Sequence, residues 1–510
     1  MHKALELRDY TLRRADGAAL LQGVNLSLRP GELLALVGRS GSGKTLITRA
    51  LTGLTSPQLH AQGQLLLDGE RLDNAAPETL RAVRGARIGM LFQQPKRVLN
   101  PRLSIAAHLY EALGAFGPAR RAAAARRIPE LLAEAGLKDP HRVARMRPGQ
   151  LSGGMAQRAM VAIALAADPD YLLADEPTAS LDSVLKHEVL ELLRSRQRER
   201  GLGVLLITHD LASVRSLADR IAVLEHGHLV ESGPAAQLLG APEHPATREL
   251  LDASLHPLPG TTPSTEAPVL EAQEVEGRYR GAKRADPALW PTTLTLHRGE
   301  VLGVVGQSGS GKSTFARLLA GLQKPSAGSV HRSHGAEEPN AVQLISQEPA
   351  ASFDRRLTLR ESLSAAVHRL PSAQANELID RAVTRVGLDV ALCDSRPGTC
   401  SGGQLQRMSI ARALMAEPRV LICDESTSAL DTVAQRHILD LLLQLRTELG
   451  LSLVIISHDM QVIGHMADSV AVFGQGRLLE HRPAAELFAA PQHEQTRALL
   501  AARQPVGAAG

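Results

Sequence analysis

The stretch E-L-L-A-L-V-G-R-S-G-S-G-K-T, residues 32–45, decides how this chain folds. Its five apolar residues, 33–37, do not alternate with polar ones, so they predict a strand buried on both faces of a parallel sheet. In G-x-x-x-x-G-K-[ST] the glycines let consecutive backbone N–H groups turn inward around phosphate oxygens. The lysine meets the β- and γ-phosphates, and the hydroxyl ligates Mg²⁺. An ordinary glycine turn before a helix is the plain alternative. A second copy, E-V-L-G-V-V-G-Q-S-G-S-G-K-S at residues 300–313, removes it. The candidate phosphate-binding residues are therefore Gly38, Arg39, Ser40, Gly41, Ser42, Gly43, Lys44 and Thr45, then Gly306, Gln307, Ser308, Gly309, Ser310, Gly311, Lys312 and Ser313.

Working outward, the rest of the chain repeats as well. LSGGMAQR at 151–158 returns as CSGGQLQR at 400–407, LLADEP at 172–177 as LICDES at 421–426, and LLITHD at 205–210 as VIISHD at 454–459. The tails APEHPATRELL at 241–251 and APQHEQTRALL at 490–500 also match. Ser152 and Ser401, Asp175 and Asp424, His209 and His458, and His244 and His493 are each separated by 249 positions, whereas Lys44 and Lys312 are separated by 268. The chain is a tandem duplication whose second copy is 19 residues shorter between its glycine loop and SGGQ. HPLPGTTPSTEAP at 256–268 reads as a linker, giving domains at 1–255 and 269–510. Each half predicts an α/β domain with a mostly parallel sheet, and a helical subdomain between the glutamine loop and SGG.

At 510 residues, 44% hydrophobic and 22% charged, the composition excludes wholesale disorder. Arg120, Arg121, Arg126 and Arg127 surround four alanines without aromatic neighbours, which reads as a solvated helix face and not a nucleic-acid surface. The three cysteines, Cys393, Cys400 and Cys423, have no metal-ligand spacing and suit a reducing compartment. No apolar signal segment is expected at the N-terminus, and the apolar run 159–167 is far short of a membrane span.

Asp175 and Asp424 follow apolar strands, where a carboxylate reaches Mg²⁺, and the adjacent Glu176 and Glu425 suit polarisation of an attacking water. Ser152, Gly153 and Gly154, like Ser401, Gly402 and Gly403, offer a hydroxyl and bare amides at a helix N-terminus, which favours an anion. The order glycine loop, FQQP or SQEP, SGG, DE, then THD or SHD occurs twice.

That order resembles the ABC-transporter ATPases over nearly the whole chain. The resemblance implies two P-loop ATPase domains that bind ATP and Mg²⁺ and pair head to tail. One site would combine Lys44, Thr45, Gln93, Asp175, Glu176 and His209 with the second SGG. The other would combine Lys312, Ser313, Gln347, Asp424, Glu425 and His458 with the first. Thr45, Gln93 and Asp175, with Ser313, Gln347 and Asp424, would hold Mg²⁺. His209 and His458 match switch histidines that hold the water and glutamate in line, and Asp182 and Asp431 match the loops that link the sites.

FQQPKRVLNPRLSI at 92–105 and EHPATREL at 243–250 further resemble the peptide/nickel importer branch. This implies a peripheral ATPase on the cytoplasmic face of the plasma membrane, partnered by two permease subunits and an extracytoplasmic solute-binding protein. Peptide is the favoured cargo, nickel or a metal chelate the alternative. A soluble twin-ATPase translation factor acting on ribosomes is the rival from another class, but it would join its domains by a long charged helical segment. Fused sugar importers usually carry degenerate second motifs, and DNA-repair ATPases need coiled coils or zinc cysteines.

The family often stacks adenine on an aromatic ahead of the glycine loop. Aligning LELRDYTLRR with LEAQEVEGRYR sets Tyr279 there in the second half but Arg14 in the first, with Tyr10 nearby. Base–aromatic stacking contributes roughly 1–3 kcal/mol, so Tyr279→Ala should weaken the second site about tenfold or more. Arg14→Ala should cost only about 0.5–1 kcal/mol at the first. Nucleotide affinities, each measured with the opposite lysine removed, check this; equal losses at both sites would defeat the alignment.

Overall fold

Apolar runs that do not alternate become the central strands of two sheets with the same strand order. The computed structural model describes residues 3–114, 118–178, 183–209, 211–254, 266–279, 287–307, 309–333, 338, 340–427 and 430–501. Contacts divide it into two units, Met1–Leu255 and His256–Gln504.

In the first unit the six-stranded sheet runs Ile88–Leu91, Tyr171–Asp175, Gly203–Ile207, Leu33–Val37, Arg220–Glu225, His228–Pro234. All neighbours are parallel except the final pair. Leu33–Val37, Tyr171–Asp175 and Gly203–Ile207 are buried at every residue, as strands covered on both faces must be. Leu36 stands opposite Ile207, and Ile207 opposite Asp175. The glycine loop, the DE pair and the histidine therefore leave the sheet at one level, on its carboxyl edge.

The second unit repeats this order with Val342–Ile345, Val420–Asp424, Ser452–Ser457, Val301–Gly306, Ser469–Gly474 and Arg477–Pro483. Val304 pairs with Ile456, and Ile456 with Asp424.

A smaller antiparallel sheet covers one side of each glycine-loop helix. Its main strands are Leu5–Arg14, Ala19–Leu28 and Leu59–Leu67 in the first unit, and Pro268–Gly277, Leu289–His297 and Ala327–Arg332 in the second. Leu7, Leu26, Leu36, Ile47 and Leu51 close one core. Leu270, Leu296, Val304, Phe315 and Phe473 close the other.

Tyr10 belongs to that first core and is only 5% exposed, so it does not offer a stacking face. Asp9 and Glu274 have matching positive φ angles of 46° and 49°, each at a register shift in its strand. This shared bulge sets Arg14 opposite Tyr279 in the repeat, as the sequence alignment has it. Pro268, assigned above to the linker, instead opens a strand, a position where its missing N–H removes no ladder bond. Residues 255–265, most of that linker, lie outside the described residues, as does Asp182.

The shortening of the second copy falls largely before the glutamine strand. The first unit has the helix Pro77–Val83 there, while the second goes from Arg332 to Val342 with no helix among its described residues. The helical subdomains contain Ile105–Ala112, Pro118–Glu134 and Gly153–Leu165, and correspondingly Leu359–Ser364, Ser372–Arg385 and Gly402–Leu414. Arg120, Arg121 and Arg126 are exposed on Pro118–Glu134, and Arg127 pairs with Glu130 and Glu134.

The repeated H-x-x-T tail is a latch. The Glu480 carboxylate accepts from the Gln492 and His493 amides, both at 3.0 Å, and from the fully buried Thr496 hydroxyl at 2.7 Å. Glu231 does the same with Glu243, His244 and Thr247. Burial works to raise both carboxyls, but the threonine hydroxyls and paired amides hold them below the usual carboxylate range. A lowered folded pKa means the stabilisation is present above the unfolded value and lost as pH falls through the folded one. Glu480→Ala should free the last helix, Glu494–Ala501, at a cost of about 1.5–3 kcal/mol. Amide exchange of that helix should accelerate in the variant, and in the native chain below about pH 4; unchanged exchange in both would rule out the latch.

Candidate functional site

Each glycine loop is shaped by a backbone contact that a side chain would block. A Cβ on Gly38 would lie 2.2 Å from the Leu224 carbonyl, and one on Gly306 would lie 2.2 Å from that of Phe473. The loop thus rests directly on the neighbouring strand, which leaves its other side open. Gly43 and Gly311, in left-handed conformations, start the helices Lys44–Leu51 and Lys312–Leu319. Those helix N-termini direct free amides and a partial positive charge at the loop interior. Ser308 lies outside the described residues; Arg39, Ser40, Gly41 and Ser42, with Gln307, Gly309 and Ser310, complete the two loops. Ser42 Oγ is buried with no hydrogen-bond partner among the described residues.

Lys44 Nζ donates to the Gly38 and Arg39 carbonyls at 2.7 and 2.9 Å, and Lys312 Nζ to those of Gly306 and Gln307 at 2.7 and 3.0 Å. Both ammonium groups are buried in the loops they follow. The Thr45 hydroxyl faces Asp175 Oδ1 at 3.4 Å, and that of Ser313 faces Asp424 Oδ1 at 3.1 Å. A hydroxyl and one carboxylate are a sparse hard-oxygen donor set. It fits Mg²⁺, which takes most of its remaining ligands from water and substrate phosphate.

The catalytic candidates converge on the two glutamates. Gln93 Nε2 donates to Glu176 Oε2 at 2.7 Å, and His209 Nδ1 lies 3.5 Å from Oε1. Gln347 and His458 hold Glu425 likewise, at 2.9 and 3.8 Å, and Lys312 Nζ lies 4.0 Å from the same carboxylate. Both glutamates have left-handed backbones, φ 45° and 46°, pinned by their amides donating to Ile207 and Ile456. Such a conformation costs of order 1–3 kcal/mol for a non-glycine residue and persists where the surroundings over-determine it.

Adjacent acids are driven apart. Burial lifts Asp175 and Asp424 above the usual aspartate value, against their hydroxyl partners. Burial also opposes ionisation of Glu176, but the His209 hydrogen bond and charge, with Lys44, bring it below the ordinary range. At Glu425 the His458 hydrogen bond leads in the same direction. Each glutamate is thereby held as a carboxylate facing the phosphate loop, able to accept a proton from water.

Ser152 and Ser401 cap the helices Gly153–Leu165 and Gly402–Leu414, each hydroxyl accepting an amide at 3.2 Å. Gly154 packs closely beneath Leu185, while Gly402 and Gly403 have more room. The caps differ, because Gln404 reaches back to the Ser401 amide at 2.8 Å and Met155 has no such group. Cys400 is half-buried and Leu151, its counterpart, is buried. Asp431 caps the helix Thr432–Leu449.

Beside the second loop is a cavity of about 890 Å³ lined by Tyr279, Trp290, Ser310, Lys312, Gln347, Glu425 and Arg477, among others. Tyr279 is 49% exposed, with its hydroxyl 2.9 Å from that of Thr314. In the first unit Arg14 is tied to Asp16 at 2.7 Å. Sequence reasoning passed over Trp290 and Arg477, whose guanidinium lies 3.9 Å from the indole centroid. That the chain has a single tryptophan was the available signal.

The ABC transporter family profile matches residues 21–179 and 289–428. The chain is 36% identical to a peptidoglycan transport ATP-binding protein, YejF, of Agrobacterium fabrum, over 98% of this chain and 96% of that one. It is 35% identical to a glutathione import ATP-binding protein, GsiA, of Pectobacterium atrosepticum, covering 98% and 89%. It is 33% identical to an oligopeptide transport ATP-binding protein, OppD, of Mycobacterium tuberculosis, covering 98% of both. An archaeal ribosome recycling factor, aABCE1, solved with the stalk protein aP1, superposes with a TM-score of 0.65 over 94% of this chain and 92% of that one. At 21% identity that likeness shows the fold alone. The chain belongs to the ABC transporter family, as a tandem pair of its ATP-hydrolysing cassettes.

Proposed function

We propose that this chain drives uptake of a small, peptide-like solute through two separate permease subunits, supplied by an extracytoplasmic solute-binding protein. The observation that carries the reading is that both DE–glutamine–histidine constellations are intact beside intact glycine loops. Each half supplies its own loop lysine, acid pair, glutamine and histidine. The transport relatives match the chain over nearly its full length, and their names speak of peptidoglycan, glutathione and oligopeptide, which favours peptide over a metal chelate. The ribosomal reading rests on a likeness of fold alone. Among the described residues no helix is long and apolar enough to cross a membrane, which fits a peripheral subunit on the cytoplasmic face that borrows its pore.

In this reading Lys44 and Lys312 bind the β- and γ-phosphates with the loop amides. Glu176 and Glu425 accept a proton from the attacking water. Gln93 and His209, with Gln347 and His458, aim each glutamate and sense the γ-phosphate. Thr45, Asp175 and Gln93, or Ser313, Asp424 and Gln347, would hold Mg²⁺, which would supply positive charge to the phosphate oxygens. Head-to-tail pairing would bring Ser401, Gly402 and Gly403 to the first nucleotide, and Ser152, Gly153 and Gly154 to the second.

Glu176→Gln and Glu425→Gln should each abolish most ATP turnover while ATP still binds, since a positioned general base contributes on the order of 10²–10⁴ in rate. Near-normal hydrolysis in both variants would remove the glutamates from the mechanism. Co-purified permeases in lipid should accelerate hydrolysis over the isolated chain. Stimulation by ribosomes and not by permeases would transfer the assignment to translation.

A further inference from the structure

The two cassettes differ beside the phosphate loop, at the turn before the last strand of the main sheet. The residue after the turn Gln475–Gly476 is Arg477, and after His226–Gly227 it is His228. Gly476 accepts from the Trp290 amide and Gly227 from that of Gln22, so tryptophan and glutamine also occupy matching positions. The second unit thus has an aromatic–guanidinium pair where the first has glutamine and histidine.

That pair is built. The Arg477 guanidinium carbon lies over the indole, 3.9 Å from the ring centroid, a cation–π contact that restrains the planar cation. Trp290 is partly buried, whereas Arg477 is exposed and has no carboxylate within ion-pair distance among the described residues. Both side chains line the cavity that contains Lys312, Ser313 and Tyr279. A guanidinium fixed in the mouth of a phosphate cavity, without an acid to neutralise it, is poised to donate to an anion.

We propose that Arg477, laid on Trp290, is a nucleotide-binding residue peculiar to the second cassette. Its guanidinium donates to phosphate oxygens of the bound nucleotide, so this site binds more tightly than the first, and the only tryptophan reports its occupancy. The inference rests on the reading of these loops as nucleotide sites.

The test is titration of a non-hydrolysable ATP analogue with Mg²⁺ into the full chain, read by tryptophan fluorescence and by equilibrium dialysis. With Lys44→Ala disabling the first site, the fluorescence should change saturably, and with Lys312→Ala it should not. Arg477→Ala in the Lys44→Ala background should weaken binding roughly 5- to 30-fold. Arg477→Lys, which keeps the charge but not the planar guanidinium, should fall between. Affinity at the first site, measured with Lys312→Ala, should be unmoved by Arg477→Ala. Binding within twofold of the parent for Arg477→Ala overturns the inference while leaving the nucleotide site standing. Undiminished second-site binding in Lys312→Ala would instead overturn the site itself.

Discussion

Everything chemical in this molecule hangs on the parallel register that levels three strand ends in each sheet. Leu36, Ile207 and Asp175 share one row, as do Val304, Ile456 and Asp424. Parallel pairing on both sides of the middle strand forces the phosphate loop, the acid pair and the histidine onto one edge. A one-residue slip would turn each buried strand over and carry the acids to another level. The fully apolar strands resist such a slip because every residue is committed to the core. The glutamates' left-handed backbone follows from this frame, since their amides are tied to the carbonyls of Ile207 and Ile456 in the neighbouring strand.

Much of this was legible beforehand, for a physical reason. Buried parallel strands need uninterrupted apolar runs, and phosphate loops need glycine at fixed spacing, so both leave local marks in the chain. The pairing of Gln93 with Glu176, 83 positions apart, could be anticipated only through the family's order of motifs. What was not legible depends on packing across sequence. Tyr10 reads as a candidate aromatic, yet the bulge at Asp9 resets the alternation of its strand and turns it into the core. Pro268 looks like linker, yet a strand accepts proline at its first position. Arg477 and Trp290 are far apart in sequence and meet only because the last strand folds back beside the outer sheet.

The two halves are copies that have diverged unevenly. Their core sheets, loops and glutamate partners match, and so do the tail latches. The differences gather at the periphery of each site: no helix among the described residues before Val342 where the first copy has Pro77–Val83, a back-reaching Gln404 where the other cap has Met155, and the Arg477–Trp290 pair where the first copy has His228 and Gln22. The glutamine, histidine and glutamate contacts recur in both halves, while the residues around each glycine loop differ.

The lysines make a final point about phosphate loops. Each ammonium is solvated by two main-chain carbonyls of the loop it serves. The cation is therefore a strut as well as a binding group, and an arriving phosphate enters by exchanging partners with it. Nucleotide affinity at such a loop is a difference between two well-satisfied arrangements, not the strength of one new contact. Truncating the lysine removes the strut together with the charge, leaving the loop's carbonyls to find water.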